Sequence, residues 1–179
     1  MESAVEYIKS DCYRYLGEAN RKAVLKLYFH DKTFRWQVAF RLCKATGLLR
    51  FIGKVLWKLN LNTNIVVKSC TSIGYGLYIG HGGPVVISPT AVIGDNCNLS
   101  QFTTIGANDN RAAIIGDNVY IGPGTCVVEN VKIGNNVTIG AGSVVTKDIP
   151  DNATAAGNYA KVLNYNNPGR YINNKWCKK

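Results

Sequence analysis

Histidines, acidic side chains and paired cysteines are the scarce features of this sequence. Its 179 residues include 11 Asp and Glu against 21 Lys and Arg, and only two histidines, His30 and His81. Two histidines cannot build a metal site of three histidines. The six cysteines contain no C-x-x-C pair, so neither a zinc knuckle nor a redox motif is indicated. We therefore predict no bound metal and expect reduced thiols.

Long apolar runs are also missing. No stretch approaches the roughly 20 apolar residues of a membrane-spanning helix, and the first residues lack a basic segment followed by an apolar one. We therefore expect a cytoplasmic protein. With 46% hydrophobic and 18% charged residues, the chain is too apolar for an intrinsically disordered protein. The net charge of +10 lies mainly in residues 1–58, but charge and a few aromatic residues alone do not predict a nucleic-acid partner.

From residue 73 onward, aliphatic side chains recur every six positions. The series, interrupted twice, consists of Ile73, Ile79, Ile87, Ile93, Leu99, Ile105, Ile115, Ile121, Val127, Ile133, Ile139 and Val145, and glycine follows eight of these twelve residues. Six is not a helical period, and each glycine inside a helix would cost about 1 kcal/mol. The pattern predicts short strands and tight turns, the hexapeptide repeat of a parallel β-helix with three flat sides per coil and about four coils.

We divide the chain into an N-terminal helical region (1–60), the β-helix with its loops (61–150) and a C-terminal tail (151–179). One helix is predicted to begin near Val5 and to extend to Phe29, and a second to run from Phe34 to Leu42. The coil is expected to stop at 148–150, where Asp, Ile and Pro follow one another. The polar, basic tail beyond it is expected to be partly mobile.

A third predicted helix follows Gly47 and carries Arg50, Lys54 and Lys58 four residues apart on one face. Two interpretations of this helix stay open. It packs on the β-helix or on another subunit, or it makes a peripheral contact with a membrane surface.

The two breaks in the period predict where function lies. Two extra residues separate Ile79 from Ile87 and four separate Ile105 from Ile115. A regular solenoid extrudes such insertions as loops on one edge. His81 lies in the first break, followed by Gly82 and Gly83, and is our candidate general base. His30 lies in the helical region between Phe29 and Asp31, and we assign it to structure.

Residues 74–87 (GYGLYIGHGGPVVI) and 90–94 (TAVIG) resemble the serine acetyltransferase branch of the hexapeptide acyltransferases, as do 121–124 (IGPG), 139–145 (IGAGSVV) and 155–158 (AAGN). The resemblance implies a left-handed coil, acetyl-CoA as acetyl donor and a homotrimer, with pairing of two trimers left open. It implies that His81 is the general base in a cleft between two subunits. The coenzyme would lie between neighbouring β-helices, near Gly106, Gly122, Pro123, Ala141 and Lys147.

The sequence also departs from serine acetyltransferases. Their Asp before the catalytic histidine is here Gly80, their Asp that orients the histidine falls on Val66, and their second active-site histidine falls on Ala112. A pocket without these partners loses discrimination for serine. The chain is therefore similar to the O-acetyltransferases of capsule and exopolysaccharide loci, the colanic-acid type included, and O-acetylation of a sugar is the leading prediction. Serine acetylation and a non-catalytic β-helix scaffold are the alternatives.

The second loop is expected to face the acceptor. Its candidate residues are Asn108, Asp109, Asn110 and Arg111. Asp109 is either a replacement for the missing orienting carboxylate or part of a solvated loop. The acceptor itself, a small molecule or a saccharide, is left open.

Overall fold

The computed structural model describes residues 3–59, 63–108 and 111–178. Four helices come first: α1 (Ala4–Leu16), α2 (Arg21–His30), α3 (Lys32–Cys43) and α4 (Gly47–Leu59). Fifteen short strands follow in the described chain, namely β1 (Ile65–Val67), β2 (Ser72–Ile73), β3 (Tyr78–Ile79), β4 (Val85–Ile87), β5 (Val92–Ile93), β6 (Asn98–Leu99), β7 (Thr103–Gly106), β8 (Ile114–Ile115), β9 (Tyr120–Ile121), β10 (Cys126–Val128), β11 (Lys132–Ile133), β12 (Thr138–Ile139), β13 (Val144–Val145), β14 (Thr154–Ala156) and β15 (Lys161–Asn164).

Every third strand returns to the same sheet, which makes three sheets around one core. The first sheet, sheet A, has the order β1-β4-β7-β10-β13. Sheet B has the order β2-β5-β8-β11, and sheet C runs β3-β6-β9-β12-β14-β15. All pairings are parallel except that of β14 with β15. The predicted mainly β, left-handed parallel β-helix with N-terminal helices is confirmed.

The six-residue period sets the register of every sheet. In sheet B, Ile73 pairs with Ile93, Ile93 with Ile115 and Ile115 with Ile133. The corresponding aliphatic residues stack in the same way in the other two sheets. These side chains are almost completely buried and form one continuous core. Each coil buries its apolar residues on its neighbours, so the stack is stable only as a whole.

Glycine after the core residue permits this close stacking. A Cβ on Gly94 would lie 2.7 Å from the carbonyl oxygen of Gly116 in the next coil. No side chain fits at that distance without moving the backbone. Coil spacing explains six of the eight glycines that follow the aliphatic series, whereas a Cβ on Gly80 or Gly106 would meet only a side chain, at 3.3 and 3.9 Å.

The N-terminal helices cap the first coil. Arg41 of α3 is 1% exposed, forms a bidentate ion pair with Asp11 of α1 at 2.8 and 2.9 Å, and donates to the carbonyl oxygen of Ile73 at 2.8 Å. Asp11 in turn accepts from the backbone N–H of Leu77 at 2.8 Å, and Arg14 donates to the carbonyl oxygen of Gly76 at 2.8 Å. Side chains of the cap thus satisfy backbone groups that a further coil would otherwise pair.

The helical region contains one more helix than predicted. We expected a single helix from Val5 to Phe29, but the chain breaks at Gly17, which has φ 70° and ends α1. Asn20 then caps α2 by accepting from the backbone N–H of Ala23 at 2.9 Å. The apolar residues at both ends suggested continuity, and the Gly and Asn between them ended it.

The last helix of the cap is packed on one side only. Gly53 is the single buried residue of α4, and a Cβ there would lie 2.5 Å from the backbone of α3. Phe51 and Leu59 are 65% and 75% exposed within one protomer, and the predicted basic face is exposed as well. Both open interpretations of this helix, a subunit contact and a membrane contact, need such an exposed apolar face.

The tail differs from its prediction in two respects. Strand β14 pairs with β12, so sheet C continues past the expected stop at 148–150. The tail then returns along the corner between sheets B and C and reaches the cap. There Asn98 donates to the carbonyl oxygen of Tyr171 at 2.9 Å, and Asn96 accepts from the backbone N–H of Trp176 at 2.8 Å. Asparagines of β6 and of the turn before it thus supply polar partners for the tail backbone, which was not predicted, and the mobility of the tail stays a prediction.

Candidate active site

His81 lies at the corner where the first coil passes from sheet C to sheet A. Its backbone has φ 62°, similar to Phe102 (61°) and Gly124 (69°) at the same corner of the following coils. Its side chain is exposed in one protomer, while Gly82 beside it is buried. The left-handed conformation at this corner recurs from coil to coil and therefore belongs to the turn of the repeat.

An open cavity of about 460 Å³ joins His81 to the helical cap. Its floor contains Tyr15, Tyr78 and Ile79, and its far wall is the junction of α2 and α3. Thr33 of that junction approaches closely, since a Cβ on Gly82 would lie 3.3 Å from its Oγ1. The catalytic candidate therefore faces a cleft that is large enough for a small molecule.

Tyr15 fixes the segment that leads into His81. Its hydroxyl donates to Oε1 of Gln37 at 2.7 Å and accepts from the backbone N–H of Ile79 at 3.3 Å. Burial raises the pKa of Tyr15 well above its usual value, so the hydroxyl stays protonated. Gln37 also donates to the carbonyl oxygen of Leu77 at 2.8 Å. Helices α1 and α3 therefore hold the strand from which His81 projects.

The predicted acceptor loop lies at a different corner of the same protomer. Asn108 and Arg111 are exposed between sheets A and B, and Asn108 is 3.4 Å from the carboxylate of Glu129. Neither Asn108 nor Arg111 is among the described residues that line the His81 cavity. Asp109 and Asn110 fall outside the described residues. The roles of all four stay predictions.

The predicted coenzyme residues divide between the same two corners. Gly122, Pro123 and Ala141 lie at the corner of His81, where the backbone N–H of Gly142 donates to the carbonyl oxygen of Pro123 at 2.8 Å. Gly106 and Lys147 lie at the corner of the acceptor loop. A Cβ on Gly122 would lie 2.7 Å from the backbone nitrogen of Ala141, so stacking alone already requires glycine there. The predicted coenzyme residues of one protomer therefore lie on two separate corners.

The three departures from serine acetyltransferases have clear surroundings. Gly80 is buried next to the ring of Tyr78, Val66 is 62% exposed on sheet A, and Ala112 is 2% exposed in the core. Among the residues that the structure describes, no hydrogen bond or ion pair reaches the imidazole ring of His81. An orienting carboxylate for His81 is therefore not found within the described part of one protomer.

His30 has surroundings that the sequence did not predict. We assigned this residue to structure, and its Nδ1 does lie 2.8 Å from the carbonyl oxygen of Lys26 in its own helix. The residue nevertheless lines the cavity of His81, together with Asp31, Lys32 and Arg35. Only the turn at Asp31 was visible in the sequence. The position of His30 opposite His81 depends on the packing of the cap.

Two features are absent from the residues that the structure describes. No cluster of three or more His, Cys, Asp or Glu side chains with metal-binding geometry occurs in them. No helix there combines the length and apolar character needed to cross a bilayer.

Comparison with known proteins adds the family. Residues 112–147 match the model "Bacterial transferase hexapeptide (six repeats)". Serine acetyltransferase 1, chloroplastic, of Arabidopsis thaliana is 36% identical over 180 residues, which cover 91% of this chain and 55% of that protein. Serine acetyltransferase of Synechococcus elongatus is 35% identical over 132 residues, covering 72% of this chain and 52% of that protein. The chain thus spans about half the length of these curated relatives.

Solved structures agree with the fold. The soybean serine acetyltransferase apoenzyme is 31% identical with a TM-score of 0.70, covering 88% of this chain and 67% of that one. Neisseria gonorrhoeae serine acetyltransferase in complex with serine is 28% identical with a TM-score of 0.67, covering 88% and 68%.

The repeat, the three-sheet coil and these matches define the class: the chain belongs to the hexapeptide-repeat acyltransferase family. Within that family it is serine acetyltransferase-like. The predicted closeness to capsule and exopolysaccharide O-acetyltransferases is not supported, because these relatives are serine acetyltransferases. The missing serine partners had favoured that assignment, whereas the similarity extends over most of the chain.

Proposed function

We propose that this protein is an acetyl-CoA-dependent O-acetyltransferase in which His81 is the general base. The observation that carries the proposal is the position of His81, at a cavity mouth and on the same corner as three of the predicted coenzyme residues, Gly122, Pro123 and Ala141. Histidine titrates near neutral pH and suits removal of a hydroxyl proton.

The reaction needs one bond exchange. The imidazole of His81 takes the proton of the acceptor hydroxyl as the oxygen attacks the thioester carbonyl of acetyl-CoA. The carbon–sulfur bond then breaks, and the coenzyme leaves as a thiol after it regains the proton. The products are an acetyl ester and free CoA, so the release of thiol follows turnover directly.

A trimer completes the site in this proposal. His81 lies at the corner between sheets C and A, whereas the acceptor loop lies at the corner between sheets A and B. Sheet A therefore separates the two in one protomer. Packing the edge of one β-helix against the other edge of its neighbour would join them. A cyclic arrangement repeats this contact around one axis.

L-Serine is the first acceptor to test. Its support comes from the relatives, which are serine acetyltransferases at 35–36% identity, one of them over most of this chain. A sugar hydroxyl is the second candidate, favoured by the residues at the three departures, Val66, Gly80 and Ala112. None of these side chains can pair with the charged groups of serine.

Turnover assays with the full chain test both parts of the proposal. The purified protein is incubated with acetyl-CoA and either L-serine or nucleotide sugars, and thiol release is followed. Substitution His81→Ala is expected to lower turnover about 10²–10⁴-fold with an unchanged circular dichroism spectrum. Undiminished turnover of this variant would remove His81 from the mechanism. Turnover with sugars and none with serine would identify the second acceptor, and no turnover with any acceptor would favour a scaffold.

A further inference from the structure

The cavity wall opposite His81 has an unusual charge. In the cap from α2 to α4, residues 21–59, ten side chains are Lys or Arg and one, Asp31, is acidic. His30, Lys32 and Arg35 all line the cavity, and the single carboxylate beside them is Asp31. The wall therefore carries two permanent positive charges, a titratable imidazole and one negative charge.

The carboxylate of Asp31 is already engaged. Its Oδ1 accepts from the backbone N–H of Phe34 at 2.7 Å and so caps α3. The carboxylate of Asp31 interacts favourably with the positive N-terminal end of α3, which has no other acidic residue in its first turn. The wall therefore has two cationic side chains against one carboxylate that already has a hydrogen-bond partner.

The two cations differ in what holds them. Arg35 donates to the carbonyl oxygens of Phe29 at 3.1 Å and Tyr28 at 3.4 Å, and is fixed to the end of α2. Lys32 is exposed at the first position of α3, and no ion pair or hydrogen bond of its ammonium group occurs among the described residues. Its ammonium group is available to a molecule in the cavity.

We propose that the junction of α2 and α3 is the anion-binding part of the acceptor pocket. The acceptor then carries a carboxylate or a phosphate near the hydroxyl that His81 deprotonates. This inference rests on the proposed function and adds the acceptor's charge to it. A serine carboxylate and a sugar phosphate share this chemistry, whereas an uncharged hydroxyl compound does not.

The physical basis is charge-assisted hydrogen bonding in a partly enclosed site. An ammonium or guanidinium group bonds a carboxylate or phosphate oxygen about twice as strongly as neutral groups bond each other. Because Lys32 holds the acceptor and does not touch the reacting atoms, its loss is expected to weaken acceptor binding and to leave the chemical step intact.

A matched pair of variants tests the inference. Lys32→Gln removes the cavity charge, and Lys22→Gln removes an equal charge from the exposed side of α2 outside the cavity. Steady-state kinetics are measured with L-serine and its neutral analogue L-serinamide, and with a sugar phosphate and its unphosphorylated sugar. Lys32→Gln is expected to raise KM for the charged acceptor about 3- to 10-fold. The values of kcat and of KM for acetyl-CoA should stay unchanged, and Lys22→Gln should alter none of them.

Specific results would overturn the anion subsite. They are equal effects of the two variants, or an equal effect on charged and neutral acceptors. If KM rises for L-serine, the subsite binds a carboxylate, and if KM rises for the sugar phosphate, it binds a phosphate. Failure of the proposed function looks different, because wild-type protein would then release no thiol with any acceptor. In that case binding of L-serine and of the sugar phosphate to both variants, measured by equilibrium dialysis, still tests the subsite.

Discussion

Replacement of Arg41 by methionine is expected to lower the free energy of unfolding more than any surface substitution. The guanidinium is 1% exposed and donates to both carboxylate oxygens of Asp11, which is fully buried. It also donates to the carbonyl oxygens of Ile73 at 2.8 Å and Gly74 at 2.6 Å. Methionine keeps much of the volume but leaves all four acceptors without this donor.

The expected cost follows from what is left behind. Removing one partner of a buried ion pair typically costs about 3–5 kcal/mol, because the other charge remains buried and uncompensated. An exposed pair is worth about 0–1 kcal/mol. Since domains are stable by about 5–15 kcal/mol, the loss would be a large share of the total. Burial raises the pKa of Asp11 against the lowering effect of Arg41, so loss of Arg41 leaves only the weaker lowering effects of the Leu77 hydrogen bond and of Arg14 against burial.

Urea denaturation followed by circular dichroism measures this cost, at one fixed protein concentration because an oligomer would shift the midpoint. Arg21→Met, at an exposed position of α2, is the control and should change the free energy of unfolding by less than about 0.5 kcal/mol. The double variant Asp11→Asn with Arg41→Met should lose less than the sum of its two single variants. A loss below about 1 kcal/mol for Arg41→Met would refute the assignment of a structural role to the cap.

Two further outcomes are expected from the β-helix. Ile115→Ala, at a 2% exposed position of the ladder, should cost about 2–5 kcal/mol, whereas Ile114→Ala, its 45% exposed neighbour, should cost far less; equal urea midpoints would contradict the inward orientation. Burial raises the pKa of the Cys97 thiol to about 12, so at pH 8 an aromatic disulfide reagent should label exposed Cys70 and Cys177 rapidly and Cys97 only after unfolding. Rapid loss of the Cys97 thiol in the native protein would disprove its burial.

The β-helix could be predicted from the sequence because each side of the coil takes about six residues, so the repeat length in the sequence equals the repeat length in the structure. One aliphatic residue per strand, six residues apart, gives the ladder that joins Ile73, Ile93, Ile115 and Ile133. His81 could be selected for a related reason, since an insertion into a strict repeat leaves the stack. Neither prediction needed knowledge of distant contacts.

The cap and the tail could not be predicted in the same way. Their positions depend on single hydrogen bonds between residues far apart in the sequence, such as Arg14 with Gly76 or Asn96 with Trp176. No periodic pattern in the sequence predicts such hydrogen bonds. The placement of His30 in the cavity of His81 has the same origin, because the packing of the cap brings the end of α2 to that cavity.

The division between repeat and cap also separates the two halves of the proposed reaction. The predicted coenzyme residues Gly122, Pro123 and Ala141 belong to the repeat, where coil stacking limits substitution. The proposed acceptor wall, with Lys32 and Arg35, belongs to the cap, where exposed side chains can change without disturbing the ladder. Because Tyr15 and Gln37 fix the cap to the strand before His81, a new cap surface would still meet the same imidazole. Changes in the exposed wall of the cap are therefore expected to alter the choice of acceptor while acetyl-CoA binding is kept.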